Sequence, residues 1–361
     1  MYTHETICKP EFFYLANEVD RSRFLDLCNN NPSLQKIDTL ADQKHELSLV
    51  LDPSLISHQS LTNPTLPTVF GGEGVWVYFP WKNTAVRILE KEQYETLRMS
   101  RNKNLITKEE QKILENTTIA IAGLNVGNPG AVCLALEGIG TTMKLADFDP
   151  LSVSNLNRFR AGLTDLLVNK ASLSARQMYE INPYQDITVF ENGLTDDNMD
   201  AFLSLPKIDL LIEEMDNLKF KIKVREKAKA FKIPVLMVTG NADHVLIDVE
   251  RYDLEADVPM LGGFLKSEII DRVNALVPGA GTFRDRIELL QDFMGKEYLE
   301  PRLNGSFDEV GKTLASIPQL AESSFLRGAA LCHFAKKILL KQDVPSGRYS
   351  ISLDGVRIEK K

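Results

Sequence analysis

Five short, continuous apolar runs recur between residues 117 and 239: TTIAIAG, TTMKLAD, DITVFEN, KIDLLIE and IPVLMVT. Runs of this length without polar alternation suit strands buried on both faces, as in parallel sheets whose crossover helices cover each side. The segments between them, NPGAVCLALEGIG, VNKASLSARQMYEIN and NLKFKIKVREKAKAFK, carry helical periodicity. Alternation of this kind predicts an α/β fold: a doubly wound, mostly parallel Rossmann-like sheet with right-handed crossovers. Residues 1–95 read as a small N-terminal α+β unit of unassigned role, and residues 96–361 as the main domain, including a helical segment at 257–320. In the first unit PEFFYLANEVDRSRFLDLC mixes helix and loop, and GVWVYFPW alternates like a strand. A polar, Pro-rich stretch at residues 57–74 marks a break. TAVRILEKEQYETLRMSRN reads as a strand leading into a helix, SSFLRGAALCHFAKKILL as an apolar helix and RYSISLDG as a late strand.

The first strand runs into a glycine turn, IAIAGLNVGNPGA, at residues 119–131. Glycines in such a turn let the backbone approach phosphates, and the free N–H groups at the helix start supply an anion site. Gly123, Gly127 and Gly130 are available, with Asn125 and Asn128 able to cap or donate. About two dozen residues on, LADFDP places Asp147 where an acidic residue in this fold grips a ribose hydroxyl. A nicotinamide oxidoreductase would be served equally well by these features. The next loop separates the readings. SVSNLNRFR sets Asn155 and Arg158 three apart, and VNKAS puts Lys170 at the opening of the following helix. A triphosphate brings several negative charges that such a polar and cationic cluster can neutralise. The fourth strand ends in EEMDN, with Asp216 beyond its carboxyl end, suited to magnesium as a hard oxygen ligand. Glu213 and Glu214 precede it on opposite faces, and at least one of them reads as structural.

The ordered set GLNVGNPGA, DFDPLSVSNLNR, NKASLSAR, INPY and EEMDN resembles the ThiF/MoeB/HesA family, bacterial relatives of the ubiquitin-activating enzymes, over roughly residues 98–250. The resemblance implies ATP-dependent adenylation of a carboxylate, giving an acyl-AMP and pyrophosphate, with ATP and magnesium bound. It implies that Asp147 binds the ribose, that Asp149 and Asn155 support the phosphate and metal region, that Arg158 and Lys170 contact the phosphates and that Asp216 holds magnesium. RMSRNK is similar to an arginine segment of the family, so Arg101 is implied to reach the nucleotide site of a partner subunit in a homodimer. VLIDVERYDLE, GVWVYFPW and SGRYSISLDG resemble a less characterised branch of the family that occurs alone or joined to nitroreductase-like domains.

The sequence departs from the family pattern in three places. The glycine turn reads G-L-N-V-G-N, with Asn125 near where a glycine ordinarily admits the phosphates; the helix opening reads L-V-N-K; and the paired C-x-x-C zinc motif is missing. The four cysteines, Cys8, Cys28, Cys133 and Cys332, and the five histidines are scattered, which argues against a zinc site or disulfide framework. No cysteine lies between Cys133 and Cys332, so the acyl group is expected to pass to an external nucleophile rather than to the chain's own thiol. The resemblance implies that the carboxylate belongs to a ubiquitin-like sulfur carrier or to a small acyl molecule, with an intramolecular attack of the tRNA-modifying dehydratase type as a further route.

A net charge of −8 argues against a general nucleic-acid or membrane surface, while leaving a local basic groove open. The opening MYTHETICKPEFFYLANEVD has early acidic residues and no apolar signal core, and no run reaches transmembrane length; a cytoplasmic protein is expected. Two other readings stay in view. One is a nucleotide-binding partner protein of the same fold without turnover; the other is the oxidoreductase.

Overall fold

The computed structural model describes residues 8–58, 73–276 and 282–355. Most of the Pro-rich stretch at 57–74, and His4, lie outside the described residues. The chain divides into two compact units, one formed by residues up to 111 with 176–185, the other by 112–175 with the residues from 186 onward.

The first unit contains β1 (Glu11–Phe13), α1 (Glu18–Asn30), β2 (Gln35–Asp38), α2 (Leu40–Leu51), β3 (Val75–Phe79), β4 (Thr84–Ile88) and α3 (Lys91–Arg98). Its sheet runs in the order β1-β3-β4-β2, antiparallel except for the β2–β4 pair. In VWVYF Val75, Trp76, Val77 and Phe79 are buried, and Asn83 closes the β3–β4 connection at a left-handed φ of 49°. Asn17 starts α1 by accepting the N–H groups of Val19 and Asp20, satisfying two donors that a helix start leaves unpaired. Phe24 on α1 then stacks on Trp76 at 5.0 Å between ring centroids.

The chain continues through α4 (Lys108–Glu115), β5 (Thr118–Ala122), α5 (Leu124–Glu137), β6 (Thr142–Ala146), α6 (Lys170–Ile181), β7 (Asp186–Phe190), α7 (Met199–Ser204), β8 (Leu210–Glu213) and α8 (Leu218–Ala230). There follow β9 (Val235–Asn241), β10 (His244–Glu250), α9 (Ser267–Asn274), α10 (Phe283–Met294), α11 (Pro301–Glu309), α12 (Ala321–Leu339) and β11 (Gly347–Ser352). The second unit holds a seven-stranded sheet in the order β11-β10-β9-β8-β5-β6-β7. Strands β5 to β9 are mutually parallel, and β10 and β11 add an antiparallel edge.

All five apolar runs are strands of this sheet, and the doubly wound α/β architecture is the one their pattern predicts. β10 is an addition to that reading. HVLIDVE returns beside β9 through a tight turn in which Ala242 takes a φ of 59°. Residues 257–320 contribute helices α9, α10 and α11; Ile269 of α9 and Leu289 and Phe293 of α10 pack with Ile222 and Met237 of the main core, and Leu303 and Phe307 of α11 cluster with Leu290 and Met294 of α10.

From β5 the chain moves to β6 on one side of the sheet and later returns to β8 on the other. The carboxyl ends of β5 and β8 flank this reversal, where a crevice opens in folds of this class. On one face of the sheet Ala120, Ala122 and Leu211 pack with Phe202 and Val224. Elsewhere α5 and α12 cross in near contact: a Cβ on Gly328 would stand 2.9 Å from Pro129, and one on Gly130 would stand 2.6 Å from Leu331. Among the described residues no helix is long and apolar enough to cross a membrane.

Candidate functional site

The turn after β5 is tight because β8 ends against it. Gly123 has a φ of +92°, and a Cβ there would lie 2.4 Å from the Glu214 carbonyl oxygen, so only glycine fits. Helix α5 starts at the next residue. Its first N–H, that of Leu124, donates to Asp147 Oδ2 at 2.6 Å, and the Asp149 N–H donates to Asp147 Oδ1 at 2.8 Å. Burial pushes the Asp147 carboxyl up, while these two N–H groups and Lys170 hold it down. The N–H groups of Asn125 and Val126 follow in the same first turn, where a helix has no internal acceptors to offer.

Gly127 and Asn128 do different work. The Gly127 N–H returns to the Gly123 carbonyl at 3.0 Å, and a Cβ on Gly127 would meet Ile121 at 2.6 Å. It is a packing glycine that brings α5 down onto the sheet. Asn128 is buried, with its Nδ2 donating to Ser174 Oγ at 2.9 Å, and so ties α5 to α6 instead of capping a helix.

The loop between β6 and α6 is folded by its own polar residues. Asn155 Oδ1 accepts the N–H and the hydroxyl of Ser152, closing the turn at Val153–Asn155. Arg158 donates from Nη1 to the Ser154 carbonyl at 3.1 Å and to Asn157 Oδ1 at 2.8 Å, and its buried Nε has no partner among the described residues. Burial draws the Arg158 guanidinium down from its ordinary range and nearby Asp216 opposes that shift. Lys170 is buried, with Nζ 3.1 Å from Asp149 Oδ2. Asn169, which the sequence pattern alone makes look interchangeable, caps α6: its Oδ1 accepts the N–H groups of Ala171 and Ser172 and its Nδ2 donates to the Asp147 carbonyl.

The two glutamates ending β8 separate as alternation requires. Glu213 is 0% exposed and pairs with Lys221 at 3.1 Å and with Arg225, which also pairs with Glu250 at 2.9 Å. Tyr252 and the Leu261 N–H complete that buried network through Glu250. Glu214 faces the crevice and accepts the Val238 N–H at 2.7 Å; burial pushes its carboxyl up to about 8. Two residues on, Asp216 is exposed and makes no hydrogen bond among the described residues.

These elements bound two adjoining clefts. The first is lined by Gly123, Asn125, Asp147, Asp149 and Asp216, with Phe148 among its walls. Gly127, Asn155, Arg158 and Lys170 stand outside that lining; Lys170 joins it through Asp149, and Arg158 acts on Asp216 through space. Arg101 lies in the first unit, exposed in a short turn at Ser100–Asn102. The second cleft shares Glu214, Met215 and Asp216 with the first and extends along β9 and α12 to Arg327. The only local sign of Arg327 in the sequence is a cation inside the apolar run SSFLRGAAL, which does not place it at a site. The fold also joins two of the scattered cysteines. The Cys332 thiol hydrogen-bonds Cys133 across the α5–α12 contact and holds it below the ordinary thiol range. Glu137 adjoins the pair and is ion-paired to Lys336 at 2.7 Å.

Residues 99–242, which contain the whole first cleft, match the model of the ThiF family. The chain carries a ThiF-family domain. Over 332 residues it is 33% identical to the uncharacterized protein MT1398 of Mycobacterium tuberculosis (strain CDC 1551 / Oshkosh), covering 91% of this chain and 43% of that protein. It is 29% identical over 161 residues to tRNA threonylcarbamoyladenosine dehydratase of Bacillus subtilis (strain 168), 44% of this chain and 61% of that one. It is 27% identical over 132 residues to the sulfur carrier protein ThiS adenylyltransferase of Escherichia coli (strain K12), 36% of this chain and 51% of that one. The chain therefore spans less than two thirds of the length of each of these relatives. The ThiF-family match takes in β5 to β9 and every candidate site residue, including Arg101, but not α12.

Proposed function

We propose that this chain is an ATP-dependent adenylyltransferase that activates a carboxylate as its acyl-AMP and releases pyrophosphate. The observation that carries the reading is the first cleft. There the free N–H groups at the start of α5 lie beside a buried Asp147 and an exposed Asp216 at the point where strand order reverses. This juxtaposition supports a site for a ribose and a chain of phosphates.

In this reading the ribose hydroxyls donate to the lone pairs that Asp147 does not use on Leu124 and Asp149. The phosphates accept from the N–H groups of Asn125 and Val126. Lys170, held by Asp149, and Arg158, whose loop is folded by Asn155, supply the neighbouring positive charge. Asp216 is an exposed carboxylate with no competing hydrogen bond, which fits a magnesium ligand. Magnesium, when bound there, neutralises phosphate charge. The substrate carboxylate is ionised at neutral pH and needs no general base. One of its oxygens bonds to the α-phosphorus, the bond from that phosphorus to the bridging oxygen breaks, and pyrophosphate leaves with the electron pair. The nucleophile that attacks the acyl carbon and expels AMP, breaking its C–O bond, is external, since Cys133 and Cys332 are packed against each other between helices. A ubiquitin-like sulfur carrier or a small acyl molecule supplies the carboxylate. Arg101 of a second copy would reach the phosphates, making the working form a homodimer, and the setting is cytoplasmic.

Asn125 favours a second reading, a nucleotide-binding partner protein without turnover, because its Oδ1 is buried in the phosphate turn without a partner among the described residues. Exchange of labelled pyrophosphate into ATP, driven by a panel of carboxylates, separates the two. Exchange that falls about 10²-fold in Arg158→Ala supports adenylation; tight ATP binding with no exchange for any acid supports the second reading.

A further inference from the structure

We propose that the second cleft is the carboxylate-substrate pocket, and that Arg327 grips the carboxylate of a small acid or chain end bearing a bulky apolar group. The inference rests on the adenylation reading and assigns it a substrate class and a further binding residue.

Three cations line the second cleft, and two of them are committed. Lys221 pairs with Glu213 and Arg348 pairs with Asp248 at 2.7 Å. Arg327 is 4% exposed and forms no ion pair among the described residues. Its Nε is buried without a partner among the described residues, and the hydrogen bond from its Nη2 to Gln319 Oε1 is long at 3.5 Å. A guanidinium offers five donors in a fork that matches a carboxylate, and a buried cation left without one is costly. Glu214 and Asp216 act on Arg327 through space, yet neither is bonded to it, and Arg158 and Arg160 add like charge. The pocket therefore holds a positive group poised for an anion that the chain does not supply.

The guanidinium is also held in place. Gly328 lets α12 close onto Pro129 of α5, which fixes the helix turn that carries Arg327. On β9, a Cβ at Gly240 would lie 3.0 Å from Ser323 Oγ and 3.3 Å from Arg327 Nη1, so a glycine leaves the space that the side chain occupies. Beyond Arg327 the walls are Leu246, Leu290, Phe293 and Ile317. A carboxylate on Arg327 would sit at the Asp216 end of the nucleotide cleft, with its substituent among these apolar side chains. A tail of bare glycines would leave that wall unfilled, whereas a branched aliphatic group there would take its apolar surface out of water.

The test uses the full chain with a non-hydrolysable ATP analogue and magnesium, and 4-methylpentanoate as the probe, followed by ligand-observed NMR. The probe should bind the wild type, bind about tenfold more weakly to Arg327→Met and be excluded by Ile317→Trp, which fills the wall from its partly exposed side. Arg327→Lys, which keeps the charge but loses the fork, should fall between. Acetylglycylglycine should bind more weakly than 4-methylpentanoate to the wild type, a comparison that needs no variant to fold. Equal binding of the probe to wild type and Arg327→Met, no probe binding while the analogue binds, or equal binding of the two probes would overturn the inference and leave adenylation standing. Loss of analogue affinity in Arg327→Met would overturn it by moving Arg327 to the phosphates. Failure of the analogue to bind the wild type would instead remove the adenylation reading itself.

Discussion

Asp147 Oδ2 accepts the Leu124 N–H at 2.6 Å, tying the end of β6 to the first residue of α5. One carboxylate thus caps the helix whose remaining free donors face the cleft, so cap and ligand site are built from the same group. Asp147→Ala should cost about 1 kcal/mol of stability through the lost cap. It should also weaken nucleotide binding. Urea unfolding and calorimetry on the same variant check both; a variant of unchanged stability would mean that the cap contributes nothing.

Gly123 is the position least able to accept a side chain. Gly123→Ala combines a left-handed φ with a Cβ 2.4 Å from the Glu214 carbonyl, and the strain should cost on the order of 1–3 kcal/mol. Gly305, exposed inside α11 with nothing within 4 Å of an added Cβ, is the control. Gly305→Ala should be stabilising by a few tenths to about 1 kcal/mol. Thermal unfolding of the two variants should shift in opposite directions.

The ion network beneath β8 carries a stronger expectation. Arg225 is fully buried between Glu213 and Glu250, so Arg225→Met leaves two buried carboxylates short of a partner and should cost about 3–5 kcal/mol. Adding Glu213→Gln to that variant should restore part of the loss. Denaturant midpoints for the single and double variants measure it, and additive losses would show that the two groups act independently.

Lys144 gives a dependence on pH. Its Nζ, buried in β6, donates to the carbonyls of Ala201, Phe202 and Pro206, and burial draws its pKa down from 10.5 to about 8. The unfolded chain then binds more protons than the folded one between those values, so this group's contribution to stability rises as pH rises through the window. The stability difference between wild type and Lys144→Met should grow from about pH 8 to pH 10. A flat difference would mean that the three carbonyls hold the ammonium charged.

The parallel sheet was legible because strands buried on both faces leave unbroken apolar runs, and TTIAIAG through IPVLMVT have no other use. The acidic residue after β6 and the one after β8 were legible for a related reason: strand ends in this fold point at the crevice. What escaped is tertiary. HVLIDVE becomes a strand only because β9 and β11 flank it, and Asn169 becomes a helix cap only when α6 begins beside it. Gly127 falls in a glycine turn by sequence, yet its N–H is used inside the helix and its missing Cβ admits Ile121. Arg327 reaches the second cleft, and Cys332 meets Cys133, through a helix that begins nearly two hundred residues after the phosphate turn. No local pattern records such contacts.

Adenylation requires the glycine turn and Asp216 to hold a metal-bound triphosphate. A calorimetric titration of the wild type, Asp216→Ala and Arg158→Ala with magnesium-ATP, and of the wild type with NAD, tests it most directly. ATP should bind the wild type and weaken about tenfold or more in each variant, with no measurable NAD binding. NAD binding in place of ATP, or ATP binding unchanged in both variants, would contradict it.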